Sequence, residues 1–454
     1  MKIIFIQPAI GHRKGEDYMK SWRMEPLPLA TLAALTPRDV QRVCFDDRLE
    51  RIDFDEPADA VALPIETYTA RRTYEIASEY RKRGVPVICG GFHAKLCTEE
   101  VAQYAEAVVV GEAEELWLEV LDDLRHGTLK KIYRAEEARN RGKGTLNISP
   151  PDRSLYAGKR YMPIRLLESG RGCGQSCDFC AIQAFFGPTR RRRSVDAVLE
   201  ELRTLPKNNL FFFVDDNFTG NIPLAKELLR AMIPLKLRWV TQVSITAAHD
   251  EELLDLMHRS GCQLVLIGFE SLKQSTLESM SKGFNTMRGG YRQALDNMRR
   301  HKIPLYATFV FGYDEDTPET FEEVFEFALE QAFYITAFNH LVPFPGTPLY
   351  ARLEEQKRLL YPAWWLERGY KFNQVPFNPA NMRAEEVSAR CLALRRRFYS
   401  MANIFKRLNK WNLSSWFIGR NFLPINLLQR NEAIKRQDFP LGDENWNGTL
   451  IKAQ

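Results

Sequence analysis

The chain has no run of about 18 apolar residues, so no segment reads as a transmembrane helix. Its longest uncharged run, Gln331 to Ala351, is broken by Pro343, Pro345 and Pro348 and carries Asn339. The opening stretch Met1 to Pro8 has no cleavage-site pattern behind it and reads as a first strand, not a signal peptide. Cysteine is scarce, with eight in 454 residues. That is too few for a disulfide scaffold and fits a reducing cytoplasm. Neither sign of charge dominates, and a net +5 does not by itself imply nucleic-acid binding. Fixed-period repeats and low-complexity tracts are absent. What remains is ordinary: 45% hydrophobic and 27% charged residues exclude disorder, collagen and coiled coil. The length suggests about three domains, or two large ones, with a core that needs no staple.

From Met1 to about residue 135, short apolar runs alternate with helical stretches. Lys2–Ile6, Val40–Phe45, Ala60–Leu63, Pro86–Cys89 and Ala107–Val110 read as strands. Leu27–Leu35, Arg71–Lys82 and Glu114–Leu124 read as helices. This pattern predicts a doubly wound parallel sheet, with ligands beyond the carboxyl ends of its strands. Residues 136–160 read as a linker. A second alternating block, 161–345, offers strands at Pro163–Glu168, Leu210–Val214, Trp239–Ile245, Leu264–Phe269, Leu305–Phe311 and Tyr334–Leu341. Six strand–helix units predict a partial (βα)6 barrel of TIM type, with its chemistry on the loops after the strands. Residues 346–454 read as a helical C-terminal region.

Three of the eight cysteines fall in Cys173-Gly-Gln-Ser-Cys177-Asp-Phe-Cys180, directly after the first barrel strand. Three thiolates at that spacing on a glycine-rich loop can each take one iron of a cubane cluster, leaving the fourth iron open. Three buried structural cysteines, or a zinc site, are the alternatives. Zinc wants a fourth Cys or His, and none lies between Arg160 and Ala248. Cys262 and Cys391 are isolated, so a single cluster is expected.

This CxxxCxxC loop, with an aromatic before its last cysteine, resembles the radical S-adenosylmethionine (SAM) superfamily across the whole barrel block. The resemblance implies a 4Fe–4S cluster on Cys173, Cys177 and Cys180, with SAM chelated to the open iron and cleaved to a 5′-deoxyadenosyl radical. It implies SAM contacts at Asp215 and Asp216 after strand two, the ammonium being a natural partner for a carboxylate. Further contacts fall at Gln242 and Ser244 on strand three, Glu270 after strand four and Phe311 closing strand five. It also implies an external one-electron donor of ferredoxin or flavodoxin type.

The first block resembles the cobalamin-binding domain of the cobalamin-dependent branch of that superfamily. The residues carrying the likeness are Ile65, Glu66, Thr67 and Tyr68, then Gly90, Gly91, Phe92 and His93, then Gly111 and Glu112. Glycine lets the backbone approach a flat macrocycle closely. The Asp-x-His-x-x-Gly signature that ligates cobalt is absent, so the resemblance implies a corrinoid held without a protein imidazole. A loop histidine closing a hydrogen bond is the reading for His93. A nucleotide-type domain without cofactor is the alternative for the block.

Arg190 to Arg193 reads as a solvated charge run, with a gating or anion-binding role, ten residues after Cys180, as the alternative. From Arg390 to Arg430 there are nine Lys or Arg, no Asp or Glu, and scattered aromatics including Phe398, Tyr399, Phe405, Trp411, Phe417 and Phe422. These read as helices covering the barrel, or as a peripheral contact of residues 390–430 with an anionic membrane. Nucleic acid is not expected, since no binding motif backs the charge. The domain order resembles hopanoid and other lipid C-methylases and the anaerobic cyclase of chlorophyll synthesis. The expectation is a cytoplasmic enzyme methylating an unactivated carbon of a lipid or other hydrophobic small molecule, using SAM and methylcobalamin. A cyclase, oxidase or rearrangement enzyme with the same cofactors is the second reading. A methylthiotransferase or a SAM-sensing module is the third.

Overall fold

The computed structural model describes residues 1–135, 146–286, 290–408 and 416–453. Part of the expected linker (136–145) and Trp411 lie outside them. Short runs rich in Val, Ile and Ala form β1 (Lys2–Gln7), β2 (Gln41–Asp46), β3 (Ala60–Pro64), β4 (Val87–Gly90), β5 (Ala107–Val110) and β6 (Ile132–Arg134). They pair in parallel in the order β2-β1-β3-β4-β5-β6. Both faces are covered, as a parallel sheet requires. Ile3, Phe5, Ala60 and Val109 pack with Leu29 of α1 (Leu27–Leu35) and with Trp117 and Val120 of α3 (Trp117–His126). Their strand neighbours Ile4, Ile6, Val61 and Val108 pack against Tyr74 and Ala77 of α2 (Ala70–Arg81). The chain steps to opposite sides of β1 for β2 and β3, which makes a switch point where such sheets open a crevice.

The second sheet contains β7 (Ile164–Leu167), β8 (Leu210–Phe213), β9 (Arg238–Val243), β10 (Cys262–Glu270), β11 (Leu305–Phe311) and β12 (Ile335–His340). Each is parallel to the next, and β7 and β12 are its edges. Six units leave the barrel open. Outward residues Phe211, Phe213, Trp239, Ile267, Phe309 and Phe311 pack under the helices. The inward set, Phe212, Gln242, Leu266, Tyr306 and Thr308, stays partly accessible, and Asn339 is exposed. A closed barrel would fill that space with side chains. Here it is a chamber.

Beyond the barrel come α4 (Ala384–Phe398), α5 (Met401–Leu408) and α6 (Trp416–Lys435). Phe398, Tyr399 and Phe422 of this basic segment are core residues, while Met401 and Phe405 are exposed. The chain end returns to the first domain: Gly442–Asp443 pairs with Gly11–His12 in a separate two-stranded ribbon, and Ile451 N–H donates to Ser78 Oγ of α2 at 2.9 Å. That return, and the three-residue β6, go beyond the elements expected from sequence. Among the described residues no helix is long and apolar enough to cross a membrane.

Candidate active site

After β7 the chain turns through Ser169 to Gly172 into the cysteine loop. Gly170–Arg171 forms a two-residue antiparallel ribbon with Arg191–Arg192. Gly172 has φ +84°, and a Cβ there would lie 2.1 Å from the Thr189 carbonyl oxygen. Only glycine fits. Cys173, Cys177 and Cys180 are all free thiols. Burial pushes the Cys177 thiol up to about 12, and the charges of Cys180 and Cys173 add to this, while Lys282 opposes it. Three thiolates that repel one another want a cation among them. Among the described residues no group of three His, Cys, Asp or Glu converges on a single ion. A cubane asks for something else, since each thiolate binds its own iron corner. Asp178 ties the loop down: Tyr313 O–H donates to it at 2.6 Å, and Arg352 Nη1 at 3.0 Å.

The two adjacent aspartates part company. Asp215 is buried and accepts from Ser169 N–H (2.7 Å), Ser169 O–H (2.5 Å) and Arg192 Nη1 (2.6 Å), so its oxygens are taken. Among the described residues Asp216 accepts only Gly172 N–H, at 2.7 Å, next to Cys173. Burial lifts its carboxyl to about 6. Glu270 closes β10 with φ +64° and pairs with Lys282 Nζ at 2.6 Å. Both lie close enough to act on the Cys177 thiol. Gln242 Nε2 donates to the Asp215 carbonyl at 2.8 Å, and Ser244 N–H to Asn217 Oδ1 at 3.2 Å. Phe311 is not brought to the mouth. It is 1% exposed and stacks on Phe321 at 4.2 Å in the outer layer. Asp216, Glu270 and the cysteines therefore gather, and Phe311 stands apart.

The arginine run is not a solvated face. Arg191, Arg192 and Arg193 are buried and pair with Glu112 (2.7 Å), Asp215 (2.6 Å) and Glu201 (2.6 Å). Only Arg190 is exposed. The partners come from distant segments, which sequence spacing does not display. Lys282 and Asp178 were also missed. Lys282, in Met280-Ser-Lys-Gly283, follows the loop after Glu270, the one available signal.

Between the first sheet and the barrel, a cavity of about 440 Å³ lies over the carboxyl ends of β3 to β5. Its wall includes Glu66, Gly90, Gly91, Phe92, Gly111 and Glu112 from the first sheet and Glu168 and Arg171 from the barrel. Gly91 has φ +105°, and a Cβ there would sit 3.1 Å from the Ile65 carbonyl oxygen. Glu66 lines this open cavity, and its side chain caps the short turn Thr67–Thr69. The surrounding walls, which shield its carboxyl from bulk water, raise it to about 7. Arg171 joins the two halves, reaching Glu112 and Glu114 at 2.5 Å each and Glu168 at 2.8 Å. Ile65, Thr67, Tyr68 and His93 do not line the cavity. The His93 ring is buried, with Thr67 Oγ1 at 3.2 Å and Glu100 Oε1 at 3.1 Å.

A barrel with three cysteines at its first strand end defines a class, and the comparisons bear on it directly. The radical SAM superfamily matches residues 167–328. Bacteriochlorophyllide d C-12(1)-methyltransferase of Chlorobaculum tepidum is 31% identical over 410 residues, 88% of this chain and 87% of its own. The C-8(2)-methyltransferase of the same organism is 28% identical over 74% of this chain and 78% of its own. The solved structure of the radical SAM methyltransferase TsrM from Kitasatospora setae, with cobalamin and a 4Fe–4S cluster bound, superimposes with TM-score 0.65. At 17% identity it covers 95% of this chain and 99% of TsrM, a likeness of fold. The chain belongs to the radical SAM superfamily, in the methyltransferase family of these relatives. It is a radical SAM enzyme, and such an enzyme takes its electron from an external donor.

Proposed function

We propose that the chain is a cobalamin-dependent radical SAM C-methyltransferase acting on a hydrophobic ring metabolite, taken from its 31% identical relative as a chlorophyll-type tetrapyrrole. The observation that carries this reading is the cavity over the first sheet, with Gly90, Gly91 and Gly111 in its wall and Glu168 and Arg171 of the barrel closing its other side. The division adopted is 1–135 for cobalamin, 161–345 for the barrel and 346–454 for the helical cover, with 136–160 between. The bound groups would supply a carbon-centred radical and a transferable methyl group. Cys173, Cys177 and Cys180 would hold the cluster. Asp216, with one donor and room for another, is the partner for the SAM ammonium, and Lys282 for its carboxylate. Asp215 holds the loop in shape through Ser169 and Arg192. Gly90, Gly91 and Gly111 would let backbone approach the corrin, with Glu66 beside it.

The electron donor would be of ferredoxin or flavodoxin type. Any contact with a lipid surface would be made through Met401 and Phe405. The test is anaerobic turnover with methyl-labelled SAM and a tetrapyrrole or lipid extract. Label in a product together with 5′-deoxyadenosine supports methylation. Deoxyadenosine with an unlabelled, altered product would replace it with ring closure or oxidation.

A further inference from the structure

The barrel is open at β12, and its free edge is covered by side chains. Tyr399 O–H donates to the Thr336 carbonyl at 2.8 Å and accepts its N–H at 3.1 Å. Two residues on, the Phe338 carbonyl accepts Arg395 Nε at 2.9 Å. An edge strand needs such covering, yet one carbonyl does not satisfy a guanidinium with five N–H donors. Arg395 is 8% exposed, and its Nη1 is sealed without an acceptor. The charged or titratable groups that act on it most are Cys391, Arg436, Tyr306 and Tyr68, of which Arg436 is itself paired with Glu432 at 2.8 Å. His340, also buried, lies close enough to feel its charge.

A second buried arginine in the same region gives the contrast. Arg407 donates to the carbonyls of Phe333 (3.0 Å) and Phe398 (3.2 Å) and to Asn426 Oδ1 (2.8 Å). Its guanidinium lies 3.9 Å from the Phe398 ring centre. Three acceptors and a ring face engage Arg407, of which only Nε is buried without a partner. Arg395 has one carbonyl, and a buried cation so thinly partnered is costly unless something supplies a counter-ion. Tyr306, within range of Arg395, belongs to the accessible inner face of the barrel. Tyr68 rests on Phe372 at 5.0 Å, and Phe372 on Trp22 at 5.2 Å, with Arg436 over the Trp22 ring. Two guanidiniums thus stand beside an aromatic wall.

We propose that Arg395, supported by Tyr306 and Arg436, binds a carboxylate carried by the substrate, anchoring a flat hydrophobic acid at the open edge of the barrel chamber. A planar guanidinium pairs with carboxylate through two parallel hydrogen bonds, which fixes orientation as well as affinity. The anchor thereby sets which carbon of the ring is presented to the mouth. This assignment rests on the reading of the substrate given above.

The test uses the anaerobically reconstituted protein and a defined probe, pyropheophorbide a, a chlorin with one carboxylate, against its methyl ester. Binding is followed by tryptophan fluorescence quenching. The free acid is expected to bind at least tenfold more tightly than the ester. Arg395→Gln, which can still donate to the Phe338 carbonyl, should erase that preference, and Arg395→Lys should keep part of it. Tyr306→Phe should lower the preference a few-fold without touching the edge, and decides the matter should Arg395→Gln not fold. Equal affinities, no binding of the acid, or a preference that survives Arg395→Gln overturns the assignment. Label transfer from SAM on the same preparation separates the two ideas. Methylation without an acid preference sinks only the anchor, whereas an acid preference without methylation sinks only the reaction.

Discussion

The carboxyl ends of the two parallel sheets face one another, and they are built from opposite materials. Over β3 to β5 the wall is mostly glycine and apolar side chains, and Glu66 has no cationic partner among the described residues. Over β7 to β10 nearly every polar group is engaged: Asp215 by three donors, Asp216 by Gly172, Glu270 by Lys282. The same topological rule puts a site at both places, but it does not decide their chemistry. A surface without Cβ atoms suits a broad flat cofactor. A loop of thiols and paired charges suits a cluster and a zwitterion. Arg171 and Arg191, bonded to Glu112, hold the two surfaces in register.

Breaking one surface should spare the other, and that gives the largest expected effect. Cys177→Ala should abolish SAM cleavage and cluster retention while cobalt binding persists, as iron and cobalt analysis of the desalted protein would reveal. The converse variant, Gly91→Val, places a side chain at φ +105° against the Ile65 carbonyl. It should lower cobalt retention more than about tenfold, since such backbone is costly for an L-residue, with iron content and deoxyadenosine release intact. Within the ionic surface, Lys282→Met leaves Glu270 buried and unpaired. The KM for SAM should rise by about ten- to a hundredfold, more than kcat falls, because such a pair is worth a few kcal/mol. Asp178→Asn loosens the cysteine loop from Tyr313 and Arg352. Cluster retention should fall by about tenfold, the scale on which outer partners support metal ligands.

The smallest effect concerns pH. Glu66 has its carboxyl raised from 4.5 to about 7 by burial. The folded apoprotein therefore holds a proton that the unfolded chain has lost, and stability falls as pH rises from about 5 through 7. Because Glu66 faces an open cavity, solvent screening reduces the effect to about a degree or two in Tm. Glu66→Gln should flatten that slope, which a thermal melt series in pH would measure.

Most of the architecture was legible in the sequence. Buried parallel strands are apolar runs, and their predicted bounds differ from those observed by no more than two residues at either end. Three-residue β6, with an arginine at its end, offers too short a run to stand out. The cysteine loop was legible because spacing and glycine are local properties. Partner choice was not. Asp215 and Asp216 are chemically alike, and only the fold shows that Ser169 and Arg192 claim the first. Phe311 could have been placed by parity, since it shares its face of β11 with Leu305, Ala307 and Phe309, all turned to the helices. The arginine run looked solvated because Glu112, Asp215 and Glu201 are brought to it from other elements.

The central claim is that two cofactors share this chain, one on each surface. Anaerobic reconstitution with iron, sulfide and hydroxocobalamin, followed by desalting and metal analysis, tests it most directly. The account predicts about four irons and about one cobalt per chain. Four irons without retained cobalt would contradict it, leaving a radical SAM barrel beside an empty sheet.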